Sequence, residues 1–337
     1  MGAKKQSRLK QFLEIKGMGG ALTAFCGLII IYIAFGLINS TVFSGQNVQN
    51  LLRSMSKYLL IGVGQSFVMI TGNIDLSIGS VVGMSAMISA TMMTKGMNPV
   101  VAILVTIILA LVVGVVNGYL VGKFKLPPFI ATLGTMFVAR GIAYIVNNNR
   151  NTDNIVSGIG KEAGDRFQNI FYYGKTAGIF NTFWIALIVF LIFWFFLART
   201  RSGRHIYAIG SNVDAARLSG VDVVKTTTKA YMVSGFCSAI VGFILCAQAG
   251  MGNMDAGNMY EMYGVAAGVI GGVSPLGGSG ILLGTFAGAG VWQTLENGLN
   301  LIHAQVGFQR IIIGVIVVGA VLLDVVVRSG NFKKKKK

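Results

Sequence analysis

Charged residues are scarce in this chain of 337 residues, at 12% of the total, whereas soluble domains carry about 25%. The chain also has only 3 cysteines, too few to hold a protein of this length together by disulfides. Its 2 histidines, His205 and His303, are far apart and have no cysteine beside them, which argues against a metal site. These shortages exclude an ordinary soluble enzyme and a disulfide-rich scaffold.

Apolar residues and glycine are abundant instead. Hydrophobic residues make up 54% of the chain, and glycine occurs 46 times beside only 4 prolines, a combination typical of membrane helices that pack through small residues. We predict an all-α, polytopic membrane protein with about ten transmembrane helices, although three of the segments are shorter than the ~20 residues of a full crossing. The predicted spans are Gly20–Ile38, Tyr58–Thr71, Ile74–Thr94, Pro99–Gly122, Phe129–Val146, Phe183–Ala198, Ala230–Gly250, Asn258–Val273, Gly280–Asn297 and Val306–Val327.

The net charge of +17 would indicate a nucleic-acid partner in a soluble protein. Here lysine and arginine cluster at both termini and in links between apolar runs, as the positive-inside rule expects of cytoplasmic segments. We therefore predict no nucleic-acid partner, and we place both termini in the cytoplasm. The predicted organisation is a basic N-terminus at 1–19, one transmembrane domain at 20–327 with an outer loop at 147–182 and a cytoplasmic loop at 199–229, and a polybasic tail at 328–337.

No pattern for catalysis or nucleotide binding stands out. The glycine-rich run at 271–280 lacks the Lys-Ser/Thr pair of a phosphate-binding loop, and we interpret it as a tight turn between two spans. Few carboxylates lie in the apolar spans, which argues mildly against a proton-driven carrier with an ionisable relay. We predict neither catalytic residues nor a bound metal in this chain.

The most informative polar stretch is 201–221, on the predicted cytoplasmic side. Asn212 or Asp214 can cap a short helix, Ala215 and Ala216 give that helix a small apolar face, and Gly220 can end it. Such a helix is suited to docking in a groove of another protein. The residues alone are equally consistent with an ordinary capped surface helix.

This stretch resembles the permeases of ATP-binding-cassette importers. Asp214-Ala215-Ala216 with Gly220 is similar to their Glu-Ala-Ala-x-x-x-Gly coupling motif, and the longer string from 203 to 221 resembles the ribose and galactoside branch. An Asp common near the family's eighth span is absent here, and so is a Lys often found in its tenth. Further stretches that resemble the family are Thr71–Gly79, Phe129–Met136 with Arg140-Gly141, and Asn297–Asn300.

The resemblance implies a permease subunit of a bacterial importer, in the cytoplasmic (inner) membrane, that binds no cofactor itself. A second permease chain, as in a homodimer, would complete the pathway. A separate ATPase would bind ATP and Mg²⁺, and an extracytoplasmic binding protein would deliver a monosaccharide such as ribose, galactose or methyl-galactoside. The implied ATPase-coupling residues are Gly203, Asp214, Ala215, Ala216, Arg217 and Gly220.

Three alternatives remain beside a sugar importer of this class. The first is a related permease for a nucleoside or another small polar solute. The second is a self-sufficient secondary transporter, and the third is a membrane scaffold or receptor without transport.

Polar residues in the ninth predicted span are candidates for a translocation pathway. Gln293, Glu296, Asn297 and Asn300 follow the i, i+3, i+4, i+7 spacing of one helix face. Their amides and carboxylate suit sugar hydroxyls, and Trp292 could stack on a sugar ring. The alternative is that this row packs against another helix through hydrogen bonds.

Asn73, Asp75 and Ser77 interrupt an apolar run. Irregular backbone at membrane depth is tolerated only inside the protein or beside a water-filled cavity, so this break either lines the pathway or forms a cytoplasmic turn. We expect Arg140 to bind a carboxylate or a backbone carbonyl.

Overall fold

The computed structural model describes residues 18–309 and, beyond them, 311, 312, 314, 315, 318, 319 and 322. Most of the basic N-terminus, much of the tenth predicted span and the polybasic tail lie outside the described residues. The helices are α1 Met18–Ile38, α2 Gly45–Ile70, α3 Ile78–Thr94, α4 Pro99–Gly122, α5 Pro128–Ile145, α6 Val156–Ile159, α7 Lys161–Gln168, α8 Asn181–Arg199, α9 Arg201–Ser211, α10 Val213–Leu218, α11 Val223–Ala249, α12 Tyr260–Ile270 and α13 Leu282–Leu301.

Short irregular elements complete the described part of the chain. A 3₁₀ turn, Ser40–Phe43, links α1 to α2, and a π-helical turn, Asn169–Tyr173, follows α7. A two-stranded antiparallel hairpin pairs β1 Lys175–Thr176 with β2 Ile179–Phe180. The described part of the chain is thus mainly helical, as predicted.

Five of the described helices are long and apolar enough to cross a membrane: α1, α4, α5, α8 and α11. In α11, 83% of the most apolar window is buried, against 17–28% in the other four. The helix α11 therefore lies at the centre, packed on α2, α3 and α4, whereas α1, α4, α5 and α8 present apolar faces outward, as lipid requires. The protein is a multi-pass membrane protein, and the count of ten spans stays a prediction.

Close packing of α4 on α11 depends on small residues. A Cβ added at Gly114 or Gly118 would collide with the backbone of α11, at Tyr231 and at Thr228. Residues four apart lie on one helix face, so these glycines form a stripe that lets the two backbones approach.

Polar connections meet at one end of the bundle, which we call the basic end. Gly278 N donates a hydrogen bond to Ile70 O over 2.9 Å, and Tyr207 OH donates to Gly280 O over 2.6 Å. The helix α9 therefore lies against the end of α2 and against the glycine-rich run, which forms a tight turn as predicted. The basic residues at this end are Lys123, Lys125, Arg199, Arg201, Arg204 and Arg217.

The long connection between α5 and α8 covers the opposite end, which we call the loop end. Thr152 N donates to Gly252 O over 3.0 Å. The guanidinium of Arg53, on α2, lies 4.5 Å from the ring centre of Tyr172 and 4.0 Å from that of Phe180. These contacts fix the connection on the ends of α2 and α11.

The segment between α11 and α12 turns back into the bundle. Gly252 packs on Ala90, near the end of α3, whereas Gly257 packs on Gly79, near its start. The residues from 251 to 259 therefore run alongside α3, antiparallel to it, and we call them the re-entrant segment.

The helix α12 begins inside the bundle, because the re-entrant segment leads it there. With 11 residues it is about 16 Å long, roughly half of the ~30 Å hydrocarbon core. This explains why the predicted span Asn258–Val273 is short: part of that crossing is a run of turns rather than helix. Backbone of this kind is stable at such depth only where protein or a water-filled cavity surrounds it.

Candidate functional site: the coupling helices and the polar interior

The predicted coupling residues lie on α9 and α10, at the basic end. Thr200 caps α9, since its hydroxyl accepts a hydrogen bond from Gly203 N over 3.1 Å. Asn212 caps α10, since its carbonyl oxygen accepts from Ala215 N over 2.9 Å. Of the two cap candidates in the sequence the structure therefore uses Asn212, and Asp214 lies in the first turn.

The end of α10 is joined tightly to the central helix. Gly220 has a φ of +82°, in the left-handed region that favours glycine at a helix end. Asp222 then caps α11 by accepting from Lys225 N over 2.9 Å, and this hydrogen bond lowers the pKa of Asp222 from its ordinary value. Only the four residues 219–222 therefore separate α10 from α11, the helix that packs on α2, α3 and α4.

The helix α9 supports α10 from below. A Cβ at Gly210 would overlap Ile70 O and lie 2.5 Å from Gly278 N. The backbone of α9 therefore contacts both the end of α2 and the glycine-rich run directly. Burial raises the pKa of Tyr207 to about 12, so its hydroxyl keeps its proton and the hydrogen bond to Gly280 at physiological pH. The helix α9 is thus held firmly against the bundle, and α10 follows directly from it.

The outer face of α10 is partly apolar. Ala216 is 5% exposed and faces the bundle, whereas Leu218 is 90% exposed. Ala215 is also exposed and lies one turn before Leu218 on the same face. Asp214 and Arg217 form an exposed ion pair of 3.4 Å. Leu218 was not among the predicted coupling residues, because an isolated Leu beside a motif gives no signal in the sequence.

An open cleft of about 490 Å³ lies beside α10, and we call it the basic-end cleft. Asn73, from the predicted pathway set, lines it together with the coupling residues Asp214 and Arg217. The rest of its polar lining consists of Thr71, Lys125, Ser211, Asn212 and Thr227.

Asp75 and Ser77 lie away from that cleft, in a buried hydrogen-bond network. Asp75 is 2% exposed; one carboxylate oxygen accepts from Ser77 N at 2.9 Å and Ser77 Oγ at 2.6 Å. The other accepts from Ser234 Oγ, near the middle of α11, at 2.6 Å. Asn117 Nδ2 donates to Ser77 Oγ over 2.9 Å. The second part of the break between α2 and α3 is therefore buried, whereas Gly72 and Asn73 in its first part face the basic-end cleft.

The polar row of α13 makes hydrogen bonds to α2. Glu296 accepts from Tyr58 OH over 2.7 Å. Asn297 and Asn47 exchange two amide hydrogen bonds of 3.1 and 3.0 Å. Gln293 is 5% exposed, and its side-chain oxygen has no hydrogen-bond partner among the described residues. Asn300 is exposed near the loop end. The row therefore joins α13 to α2. The side-chain oxygen of Gln293 can still accept a hydrogen bond.

Trp292 belongs to an aromatic cluster with three tyrosines. Its ring centre lies 5.1 Å from Tyr263 and 6.2 Å from Tyr58. Tyr260 lies 5.6 Å from Tyr263 and 6.2 Å from Tyr58. The cluster connects the first turn of α12 to the middle of α13, next to Glu296. Nothing in the sequence indicated that Tyr58, on α2, meets the two tyrosines of α12, because these helices are far apart in the chain.

Arg140 holds the re-entrant segment, and the prediction that it binds a carbonyl is confirmed. Its Nη1 donates to Met254 O and to Ala256 O, each over 2.9 Å. One guanidinium nitrogen thus satisfies two backbone acceptors at a depth where unpaired carbonyls are costly.

A family model described as "Branched-chain amino acid transport system / permease component" matches residues 47–321. The chain belongs to this permease family. The match includes both coupling helices, the Asp75 network and the polar row of α13. No solved structure matches the permease.

Curated relatives are import permeases of bacteria. The ribose import permease of Bacillus subtilis is 37% identical over 312 residues, 93% of this chain and 95% of that protein. The D-allose transport system permease of Escherichia coli K12 is 34% identical, over 88% of this chain and 89% of that protein. The autoinducer 2 import system permease of Salmonella typhi is 31% identical, over 90% and 84%. The resemblance to sugar importer permeases is confirmed, and the chain is a permease component of a transport system.

Proposed function

We propose that the permease forms the translocation pathway of an ATP-driven importer for a monosaccharide, in the cytoplasmic membrane of a bacterium. Ribose and allose import permeases among its relatives support a sugar. The observation that carries the proposal is the short, capped connection between the exposed helix α10 and the central helix α11. An importer of this kind needs a surface element on which a separate ATPase can act.

The partner at the basic end is an ATPase that binds ATP and Mg²⁺. Ala215 and Leu218 form the apolar centre of its docking site, and the exposed Asp214–Arg217 pair lies at the rim. Gly203 and Gly220 keep the two coupling helices in place through a capped start and a left-handed end. Ala216 faces the bundle and takes part by packing rather than by contact with the ATPase.

The solute route in this proposal passes through the polar interior. It runs from Glu296, past Gln293 and the aromatic cluster at Trp292, to the basic-end cleft at Asn73. Asn297 and Asn300 lie along the same helix towards the loop end. Gln65 supports such a route, because it is fully buried on α2 and neither atom of its amide has a partner among the described residues. Asp75 and Ser77 brace the break beside the route.

A second copy of the permease and an extracytoplasmic binding protein complete the proposed assembly. The binding protein delivers the sugar at the loop end. The relative that imports autoinducer 2 favours a second candidate solute class, small polar molecules other than sugars, which include nucleosides. The same transport assay distinguishes the two classes.

The test is uptake of labelled sugars into vesicles that contain the permease with its ATPase and binding protein. In the variant Leu218→Asp, we expect association with the ATPase to weaken about tenfold to a hundredfold, because burial of a leucine side chain contributes roughly 1.5–3 kcal/mol. ATP-dependent uptake falls accordingly, while the permease still inserts into the membrane.

Leu218→Met is the matched control, since it keeps an apolar side chain of similar size, and it should transport normally. Uptake at the wild-type rate by Leu218→Asp would contradict the docking assignment. Uptake by the permease alone, driven by a proton or sodium gradient, would show a secondary transporter instead.

A further inference from the structure

The re-entrant segment borders a second cleft, at the loop end of the bundle, that none of the predicted site residues lines. We call it the loop-end cleft. It is open and has a volume of about 440 Å³, within the range of roughly 300–1,000 Å³ found for small-molecule sites. Its polar lining consists of Gln248, Asn253, Asp255, Asn258 and Tyr260.

Several of these polar groups have unused hydrogen-bonding capacity. The side-chain oxygen of Gln248 is buried and has no partner among the described residues. The carboxylate of Asp255 makes no ion pair within 4 Å in the described part of the chain, and its hydrogen bonds run through its backbone. Among the described residues, Asn258 likewise bonds only through its backbone. Amide and carboxylate groups left free in one cleft are what a ligand rich in hydroxyl groups requires.

The charge of the cleft selects against anionic ligands. Asp255 is its one ionisable carboxylate, and no lysine or arginine lines it. The guanidinium of Arg140 lies behind the re-entrant segment and donates to two of its carbonyls. A phosphate or carboxylate in the cleft would therefore meet the carboxylate of Asp255, and no lysine or arginine lines the cleft to bind it directly.

The walls of the cleft are held in place before any ligand arrives. Arg140 fixes the re-entrant segment from one side, and Thr152 Oγ1 accepts from Gly252 N over 2.8 Å on the other. Tyr173 OH donates to the backbone oxygen of Gln248 over 2.9 Å. A rigid wall reduces the entropy that binding costs.

The cleft leads inward to the proposed route. Tyr260 lines the cleft, and its ring also packs in the aromatic cluster with Tyr58 and Tyr263. An aromatic face at the inner end of a set of amides suits a sugar ring, which has apolar faces and polar edges.

We propose that the loop-end cleft binds one neutral monosaccharide ring directly, as the first contact of the solute with the permease. This rests on the proposed function, and it deepens that function by assigning an entry site. Gln248, Asp255 and Asn258 bind the hydroxyl groups, and Tyr260 stacks on the ring.

The test uses the full permease in lipid nanodiscs and saturation-transfer difference NMR, which detects weak binding. The probes are D-ribose, D-allose and D-ribose 5-phosphate. We expect signals from the neutral sugars and at least tenfold weaker binding of the phosphate. Asp255→Ala and Asn258→Ala should each weaken sugar binding about fivefold, the effect of one lost hydrogen bond. Both side chains lack partners, so their removal should leave the fold intact.

Asp153→Ala is the matched control, because Asp153 is exposed on the loop-end connection and does not line the cleft. Equal sugar binding by the wild type and the cleft variants would overturn the inference, and so would binding of the phosphate as tight as that of ribose.

Uptake by the reconstituted importer separates this inference from the proposed function. If the importer takes up sugar and the cleft variants take it up at the wild-type rate at low sugar concentration, the entry site is wrong and the function stands. If the importer takes up no sugar of a broad panel, the proposed function fails, and a sugar entry site has no role.

Discussion

At the scale of single residues, Asp75 shows how this protein accommodates a buried carboxylate. Its two oxygens accept three hydrogen bonds, two from Ser77 and one from Ser234. Burial of a polar group is costly unless hydrogen bonds compensate it, and here the donors come from the residue two positions on and from the central helix. The carboxylate thereby links α11 to the start of α3.

Removal of the Ser234 hydroxyl, which donates to Asp75 from α11, should show how far the network depends on this hydrogen bond. In Ser234→Ala one carboxylate oxygen loses its partner, and we expect the permease to lose about 1–3 kcal/mol of stability. The melting temperature in detergent, followed by size-exclusion chromatography after heating, reports it. Ser238→Ala is the control, because that hydroxyl donates only to Ser234 O within its own helix. If the two variants have the same melting temperature, Asp75 does not depend on the hydrogen bond from Ser234.

Residue roles could be predicted from the sequence only where one residue type restricts its partners. An arginine in an apolar span must find acceptors, so the tie made by Arg140 was predictable, although its partners in the re-entrant segment were not. Leu218 was missed, because exposure depends on how α10 lies on the bundle. The cluster of Tyr58, Tyr260 and Tyr263 was missed because contacts between α2 and α12 depend on how those helices pack.

At the scale of helices, the contact between α4 and α11 limits what the sequence can vary. The glycine stripe leaves no room for side chains at that contact. Alanine normally favours a helix over glycine by about 1 kcal/mol, so substitution of a helical glycine stabilises wherever space allows. Whether a Gly→Ala substitution stabilises or destabilises the protein therefore shows whether there is space for a side chain at that position.

Gly118→Ala should destabilise the permease, since overpacking costs about 1–3 kcal/mol and exceeds the gain in helix propensity. Gly134→Ala, on α5, is the matched control, because nothing lies within 4 Å of a Cβ built there. We expect a lower melting temperature and lower yield for the first variant and no loss for the second. A neutral Gly118→Ala would mean that α4 and α11 separate easily.

The ends of a helix could be predicted where its apolar residues continue to the capping residue. Where polar residues form the first turns, the apolar span is shorter than the helix. The helix α2 begins at Gly45, not near Tyr58, because its polar first turns are held by interhelical contacts such as that of Asn47 with Asn297. The sequence of the re-entrant segment, rich in glycine and asparagine, is typical of a surface loop. Only its packing on α3 places it inside.

At the scale of the whole molecule, the two ends of the bundle should lie on opposite sides of the membrane. The basic end carries α9 and α10, and the positive-inside rule places it in the cytoplasm. Cys237 and Cys246 are buried, so replacement of Cys26 alone by serine gives a suitable background for labelling.

In that background, Ser219→Cys marks the basic end and Lys161→Cys marks the loop end; both positions are exposed. In right-side-out vesicles, an impermeant maleimide should label only the Lys161→Cys variant, and after the membrane is opened it should label both. Labelling of Ser219→Cys in sealed vesicles would reverse the orientation and remove the basis for an ATPase at the basic end.

The shortness of α12 changes how far a conformational change must reach. In the proposed import cycle, a solute at the inner end of the re-entrant segment has passed about half of the bilayer before any helix moves. The remaining barrier is about the length of α12, so a small movement of helices would open it. We therefore propose that the close packing of α12 on α13 at Gly288 prevents leakage through this thin barrier.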